Sequence, residues 1–379
     1  MPDHPNTWLG LQHLEVVPCL DKTTARVWEA ARKMYLKAST LDDLLDEAFR
    51  LLQKSKMGVV ATKGSTVEVQ GIVLELTRPR ARLSRTDTKG TVFSGIGEFI
   101  WYISCNDKLA PIQYYIKRYD EYAEADGTIW GAYGPRIFGG ERSQYEIVKA
   151  LLSKRASSRQ AVIQLFDRRD IEERRKDTPC TCTLQFLVRD GLLNLVVHMR
   201  SNDVYKGLPH DVFAFTMFQE ILARDLGVAL GTYKHMVGSL HLYEEDRAKI
   251  DAYVHEGFQS TREMPDMPAG SQWTDIKTLF VVEAAIRKGG VAEIPDALDK
   301  AKQLSPYWAD IARLLAIFAL TRKFDGAREK LRQVVEIRRA MSTQYYAAYI
   351  RKNSRRLSRA VAQLDLDGSA DIITKVSIP

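Results

Sequence analysis

The dipeptide Asp190-Gly191 constrains the fold of this chain more than any other feature. It stands between two apolar, alternating runs, Thr183 to Val188 and Leu192 to Met199. Asp-Gly takes the left-handed backbone of a two-residue hairpin turn at little cost, so these runs are predicted to fold back as antiparallel strands. Counting outward from the turn, Arg189 faces Leu192 and Cys180 comes opposite Ser201. Arg200 then falls one rung away, on the other face of an ideal ladder. A bulge or local twist is needed to bring its guanidinium beside the thiol. A thiol so placed gains thiolate character, and thiolate is the form that attacks carbon. The plainer alternative is a buried strand cysteine that packs as a small hydrophobe.

The rest of the chain sorts by periodicity. The first 60 residues read as helical, with Thr40 capping a helix whose apolar positions are Leu41, Leu44, Leu45, Ala48, Leu51 and Leu52. From Val59 to Leu74 the texture is β-branched alternation, and Gly95 to Ser104 reads as a buried helix holding one acid, Glu98. Ile112 to Ala123 is predicted as one helix, Ala161 to Phe166 as a short strand and Val212 to Leu226 as an apolar helix. Beyond about residue 285 the pattern is helical again, Ser305-Pro306 opening a helix with Trp308, Ile311, Leu314 and Leu315 on its apolar face. This order predicts an α+β fold: a mixed sheet with packed helices and helical extensions at both ends. The expected divisions are a helical segment at 1–60, a core at 61–285 and a helical appendage at 286–379.

Composition narrows the function classes. No stretch reads as a signal peptide, and no apolar run approaches the ~18 residues that a membrane span needs. Four cysteines in 379 residues make no disulfide framework, so a reducing cytoplasm is expected. Cys180 and Cys182 lack a second Cys or His pair at ligand spacing, so no metal site is expected and Cys182 reads as core. The net charge of +7 suits an anionic ligand but decides little between a nucleotide and a nucleic acid. The basic run Arg351 to Arg359 reads as a solvated face or a dimer contact.

Several motifs then fall into one order. Pro179-Cys180, Gln185-Phe186 and the run from Arg200-Ser201-Asn202-Asp203 through Gly207-Leu208-Pro209-His210-Asp211 resemble the thymidylate synthase superfamily signature, P-C-H, Q-F and R-S-x-D-x-x-x-G-x-P-x-N. Gly97-Glu98-Phe99-Ile100-Trp101-Tyr102 resembles that family's H-E-L-L-W-F helix. Tyr119-Asp120-Glu121-Tyr122 resembles W-D-E-W with both tryptophans replaced, and Tyr133-Gly134 matches Y-G. Ser158-Arg159-Gln160 resembles S-R-R with one arginine lost, and Gly238 to Tyr243 resembles G-D-x-H-L-Y. Lys63-Gly64-Ser65-Thr66 is the nearest match to the R-T-G-T phosphate loop, its lysine keeping a point charge without the guanidinium fork.

The resemblance implies a thymidylate synthase-like mixed sheet and a catalytic core over 61–285. It implies that Cys180 is the nucleophile, Glu98 the proton relay, Asp211 the reader of the base and Tyr133 part of the catalytic wall. Arg200, Ser201, Lys63 and Gln185 would hold the nucleotide, with His241 and Tyr243 on its ribose. Arg159 would reach the partner subunit's phosphate site in a cytoplasmic homodimer. Asp203, Tyr119, Tyr122 and Gly207 would hold 5,10-methylenetetrahydrofolate.

Asp211 stands where the methylases carry asparagine. A carboxyl accepts from the 4-amino group of cytosine, whereas uracil O4 would face it acceptor to acceptor. In this position the chain is similar to the family's CMP and dCMP 5-hydroxymethylases. Tyr119 fills less of the wall than tryptophan and carries a hydroxyl able to hold water, which points to hydroxymethyl transfer. Asp211 could instead cap a helix starting at Val212. The alternatives in function are a methylase on dUMP or dCMP, or a non-catalytic nucleic-acid-binding or regulatory relative using the Arg351 to Arg359 face. Ribose and deoxyribose both remain open.

Overall fold

The computed structural model describes residues 34–55, 58–61, 64–323 and 325–366. Lys63 lies outside the described residues. A seven-stranded mixed sheet organises the rest: β1 (Tyr35–Ala38), β2 (Gly58–Ala61), β3 (Gly64–Leu76), β4 (Val162–Gln164), β5 (Thr181–Arg189), β6 (Leu192–Asp203) and β7 (Ala229–Tyr243). The order across it is β1-β3-β7-β6-β5-β4, with β2 also pairing β3. The pairs β1–β3 and β6–β7 are parallel and the others antiparallel. With its packed helices, this is the α+β architecture read from the sequence.

The hairpin forms as its turn residues require. Asp190 and Gly191 take φ of 50° and 74°, the two left-handed positions that match the twist of β5 and β6. Arg189 pairs with Leu192. The register then slips by one between Thr181 and Thr183, making Cys182 the extra residue of a bulge. Beyond it the Arg200 amide donates to the Cys180 carbonyl at 2.9 Å. Cys180 thus faces Arg200 instead of Ser201, the shift needed to bring the guanidinium beside the thiol. Cys182, expected in the core, is half-buried at the bulge instead.

Three local expectations change. Residues 35–38 form a strand because they pair in parallel with Val73–Leu76, a partner too distant for periodicity to reveal. Ile112 to Ala123 is not one helix: a short helix, Leu109–Gln113, gives way to a 3-10 turn, Lys117–Tyr122, with Ile116 extended at φ −131°. Tertiary contacts explain the break. The Tyr115 hydroxyl donates to Glu283 at 2.8 Å, and its ring lies on Phe318 at 5.3 Å. The helix expected from Val212 starts at Leu208, so Asp211 sits inside its first turn and does not cap it.

That helix, Leu208–Leu226, joins parallel strands β6 and β7 and packs its Phe213, Phe215 and Phe218 into the core. Each such burial contributes roughly 1.5–3 kcal/mol. Against it lies the helix Val92–Ile103, every residue of which except Ser94 is buried. The appended helix Pro306–Leu320 completes this layer. Its Trp308 is fully buried and stacks on Phe99 at 6.4 Å, so the appendage shares the same core. Among the described residues no helix is long and apolar enough to cross a membrane.

Gly97 allows Tyr115 to lie flat on the Val92–Ile103 helix. A Cβ there would fall 2.1 Å from the ring. Gly97→Ala is therefore expected to destabilise the fold by about 1–3 kcal/mol despite its better helix propensity, as read by urea unfolding.

Candidate active site

The C-terminal ends of β6 and β7, the start of the Leu208–Leu226 helix and the buried Val92–Ile103 helix converge on a cleft of about 1050 Å³. Cys180 lines it, half-exposed, just before β5. Arg200 holds the thiol's segment in place. Its Nε donates to the Pro179 carbonyl at 2.9 Å, and its Nη2 donates to the Thr178 carbonyl at 2.9 Å and lies 3.6 Å from Cys180 Sγ. Tyr133 anchors the other side: its hydroxyl oxygen accepts from the Thr181 N–H at 3.2 Å and the Thr181 hydroxyl at 3.0 Å.

Across the cleft are two buried acids. Glu98 accepts a short hydrogen bond from the Tyr119 hydroxyl, which lies 3.4 Å from that of Tyr102. Burial pushes Glu98 up to about 7, against the lowering effect of those phenols. Asp211 accepts from Asn202 Nδ2 at 2.7 Å. A first-turn acid gains ~0.3–1 kcal/mol from the helix dipole. Burial, with Glu98 nearby, outweighs this and holds Asp211 well above the usual carboxylate range. Both shifts run toward the neutral acid, which suits proton exchange with a bound ring.

The Glu98 shift has a consequence for stability. Between about pH 4.5 and 7 the folded protein keeps a proton that the unfolded chain releases, so stability falls as pH rises through that window. Glu98→Gln removes the penalty. It should stabilise the fold by about 2–4 kcal/mol at pH 8 and little at pH 4, measured by urea unfolding at both.

Most of the expected ligand-binding residues meet here. Ser201, Asp203, Gly207, His241, Tyr243, Tyr119 and Tyr122 all line the cleft with Arg200. Ser201 Oγ is 3.4 Å from His241 Nδ1, and the His241 ring stands edge-on to Tyr243 at 5.3 Å. Asp203 Oδ1 accepts the amides of Tyr205 and Lys206 at 2.8 and 2.9 Å, fixing the turn into the helix. Gly207 permits that turn to close: a Cβ would sit 3.0 Å from Asn202 Nδ2 and 3.5 Å from Asp211 Oδ2. Two residues lie elsewhere. Gln185 is on β5, where its amide donates to the carbonyl of exposed Arg159 at 3.0 Å, and neither is part of the cleft lining.

The cleft also holds cations that motif reading missed. Lys89 is buried over the Tyr205 ring at 4.0 Å, and burial holds its ammonium down to about 8. Arg118, Arg174, Arg175 and Lys176 complete a basic rim. The run Arg174-Arg175-Lys176, just before Thr178-Pro179-Cys180, was the available signal. His210 also lines the cleft. Burial, with Lys89 nearby, lowers it to about 4, and its Nδ1–H donates to the Lys206 carbonyl at 3.0 Å while Ser94 Oγ lies 2.9 Å from Nε2. No group of three or more potential metal ligands occurs among the described residues.

The thymidylate synthase family model matches residues 50–284, most of the chain and all of the sheet from β2 onward. The chain belongs to the thymidylate synthase family. It is 32% identical over 161 residues to the thymidylate synthase of Bacillus phage phi3T, covering 40% of this chain and 57% of that protein. It is 32% identical over 152 residues to the thymidylate synthase of Bacillus licheniformis, covering 38% and 54%. The chain thus spans little more than half the length of these curated relatives. Thymidylate synthases use 5,10-methylenetetrahydrofolate as co-substrate. The cleft fits such a ligand pair in kind: aromatic faces at Trp101, Tyr119 and Tyr122, a basic rim, and a volume above the usual range for a single small ligand.

Proposed function

We propose that this thymidylate synthase family member transfers a one-carbon unit to C5 of a cytidine monophosphate, with a hydroxymethyl product. The observation that carries this reading is Asp211, a buried carboxyl in the cleft that holds both Cys180 and Glu98. In its neutral form the acid donates to the N3 lone pair of cytosine and accepts from the 4-amino group.

Cys180 Sγ adds to C6 of the ring, and the electron pair displaced from the C5–C6 bond makes C5 nucleophilic. Asp211 protonates toward N3 as charge develops there. The folate, when bound, would supply the one-carbon unit: C5 takes that carbon, the carbon's bond to the folate nitrogen breaks to release tetrahydrofolate, and water adds to it to complete the hydroxymethyl group. Glu98 takes up the proton released at C5, directly or through water, and its poise near neutrality suits both directions of transfer. Elimination of Cys180 restores the aromatic ring. Arg200 and Ser201 hold the phosphate, with Arg159 reaching across from a second protomer, and His241 and Tyr243 hold the sugar. Asp203, Tyr122 and Gly207 hold the folate side.

The hydroxymethyl outcome is supported by the polar wall. Tyr119 directs its hydroxyl to Glu98, so the cleft offers water a hydrogen-bonding seat beside the reacting carbon. A second reading, methylation of dUMP, is favoured by the thymidylate synthase relatives. Mass spectrometry decides between them. CMP, dCMP, UMP and dUMP are each incubated with methylenetetrahydrofolate. A cytidylate product heavier by a hydroxymethyl increment, without dihydrofolate, is the expected result. A methylated uridylate with dihydrofolate would overturn it.

A further inference from the structure

Behind Asp211 runs a chain of buried side chains that no step above uses. Tyr233 and His235, both on β7, are fully buried, and Asn202 on β6 is 4% exposed. Tyr233 Oη lies 2.7 Å from His235 Nδ1, and His235 Nε2 lies 3.1 Å from Asn202 Oδ1. Asn202 Nδ2 then donates to Asp211 Oδ2 at 2.7 Å. Burial lowers His235 to about 3, so its ring is neutral and carries one N–H. With the Asn202 amide as it stands, one assignment satisfies the whole chain. Tyr233 O–H donates to Nδ1, Nε2–H donates to Oδ1, and the Asn202 NH₂ donates to the acid.

We propose that His235, braced by Tyr233, is a specificity-determining positioning residue that locks the Asn202 amide and thereby the donor–acceptor order that Asp211 presents to the base. This rests on the reading of Asp211 as the base-recognising group. While the NH₂ occupies Oδ2, the acid's proton belongs on Oδ1. The carboxyl then presents one donor and one acceptor in fixed order, which matches N3 and the 4-amino group of cytosine. Uracil brings an N3–H against that donor. If the amide turned over, its carbonyl would draw the proton to Oδ2 and leave Oδ1 as a bare acceptor, which tolerates a uracil N3–H. Such a reversal costs little unless the amide oxygen is held by a donor, and the His235 Nε2–H is that donor.

The test uses the full chain and equilibrium binding of CMP and UMP, with thermal unfolding as the control. His235→Phe removes the donor, His235→Gln restores an N–H toward Asn202, and Tyr233→Phe removes the brace alone. The CMP-to-UMP affinity ratio should fall at least about tenfold in His235→Phe and recover to within about threefold in His235→Gln. If His235→Phe fails to fold, Tyr233→Phe decides: a ratio reduced about threefold or more supports the lock, and an unchanged ratio overturns it. An unchanged ratio in folded His235→Phe, or equal losses in the Phe and Gln variants, also overturns it. A wild-type protein without preference for CMP defeats the reading of Asp211 itself, which separates the two failures.

Discussion

Cys180→Ser should abolish turnover, by at least about 10³-fold, while leaving the melting temperature and nucleotide affinity close to those of the parent. The hydroxyl preserves the shape of the side chain, and the Arg200 contacts to the Thr178 and Pro179 carbonyls do not involve sulfur, so the segment stays in place. What disappears is the thiolate. A serine hydroxyl beside Arg200 has no base at hand to generate an alkoxide, and cations favour the anion of a thiol far more effectively than that of an alcohol. Denaturing mass spectrometry provides the direct check: a nucleotide adduct trapped on the parent with a 5-fluorinated pyrimidine nucleotide should be missing from the variant. Retained turnover above about a tenth of the parent rate would remove Cys180 from the mechanism.

Asp211→Asn should keep cytidylate binding and lose cytidylate turnover. The new carbonyl accepts from Asn202 and faces the 4-amino group of cytosine, while the new NH₂ donates to N3, so the donor–acceptor order survives and only the transferable proton is lost. Cytidylate turnover should drop by about 10²–10⁴-fold, the usual contribution of a positioned acid. Uridylate, whose N3–H would face that NH₂, should gain no affinity. The same substitution removes a buried carboxyl whose ionisation is opposed by burial and by Glu98, so the fold should not weaken. Steady-state kinetics on both nucleotide classes check the prediction. A uridylate affinity raised above that of the parent would mean that the new amide turns over and that Asn202 does not fix its order.

The sequence identified the residues that line the cleft more fully than the framework that holds them. Asp190-Gly191 identified the hairpin, because a turn with two left-handed residues leaves few alternatives. Counting from it also showed that Cys180 and Arg200 meet only through a bulge or a local twist. That it is a bulge with Cys182 as the extra residue follows from the pairing of Thr181 with Met199 and Thr183 with His198, which no local pattern records. The strand Tyr35–Ala38 escaped for the same reason, its partner Val73–Leu76 being distant in sequence. Ile112 to Ala123 has good helical spacing, but packing of the Tyr115 side chain onto Glu283 and Phe318 overrides it. Lys89 was hidden because a lysine in the sequence reads as surface, and His235 because a link to Asn202 leaves no periodic trace.

The helix carrying Glu98 owes part of its footing to residues at and beyond the end of the family match. Glu283, just inside it, grips the Tyr115 hydroxyl, while Trp308 stacks on the neighbouring Phe99 and the Arg322 guanidinium covers the Tyr114 ring at 4.0 Å. The outer helices therefore act as a buttress whose stiffness is passed inward to the acid and its tyrosines. Alterations made in them can retune the cleft at arm's length, and trimming the chain to its recognisable middle would strip the wall that carries Glu98 of its backing.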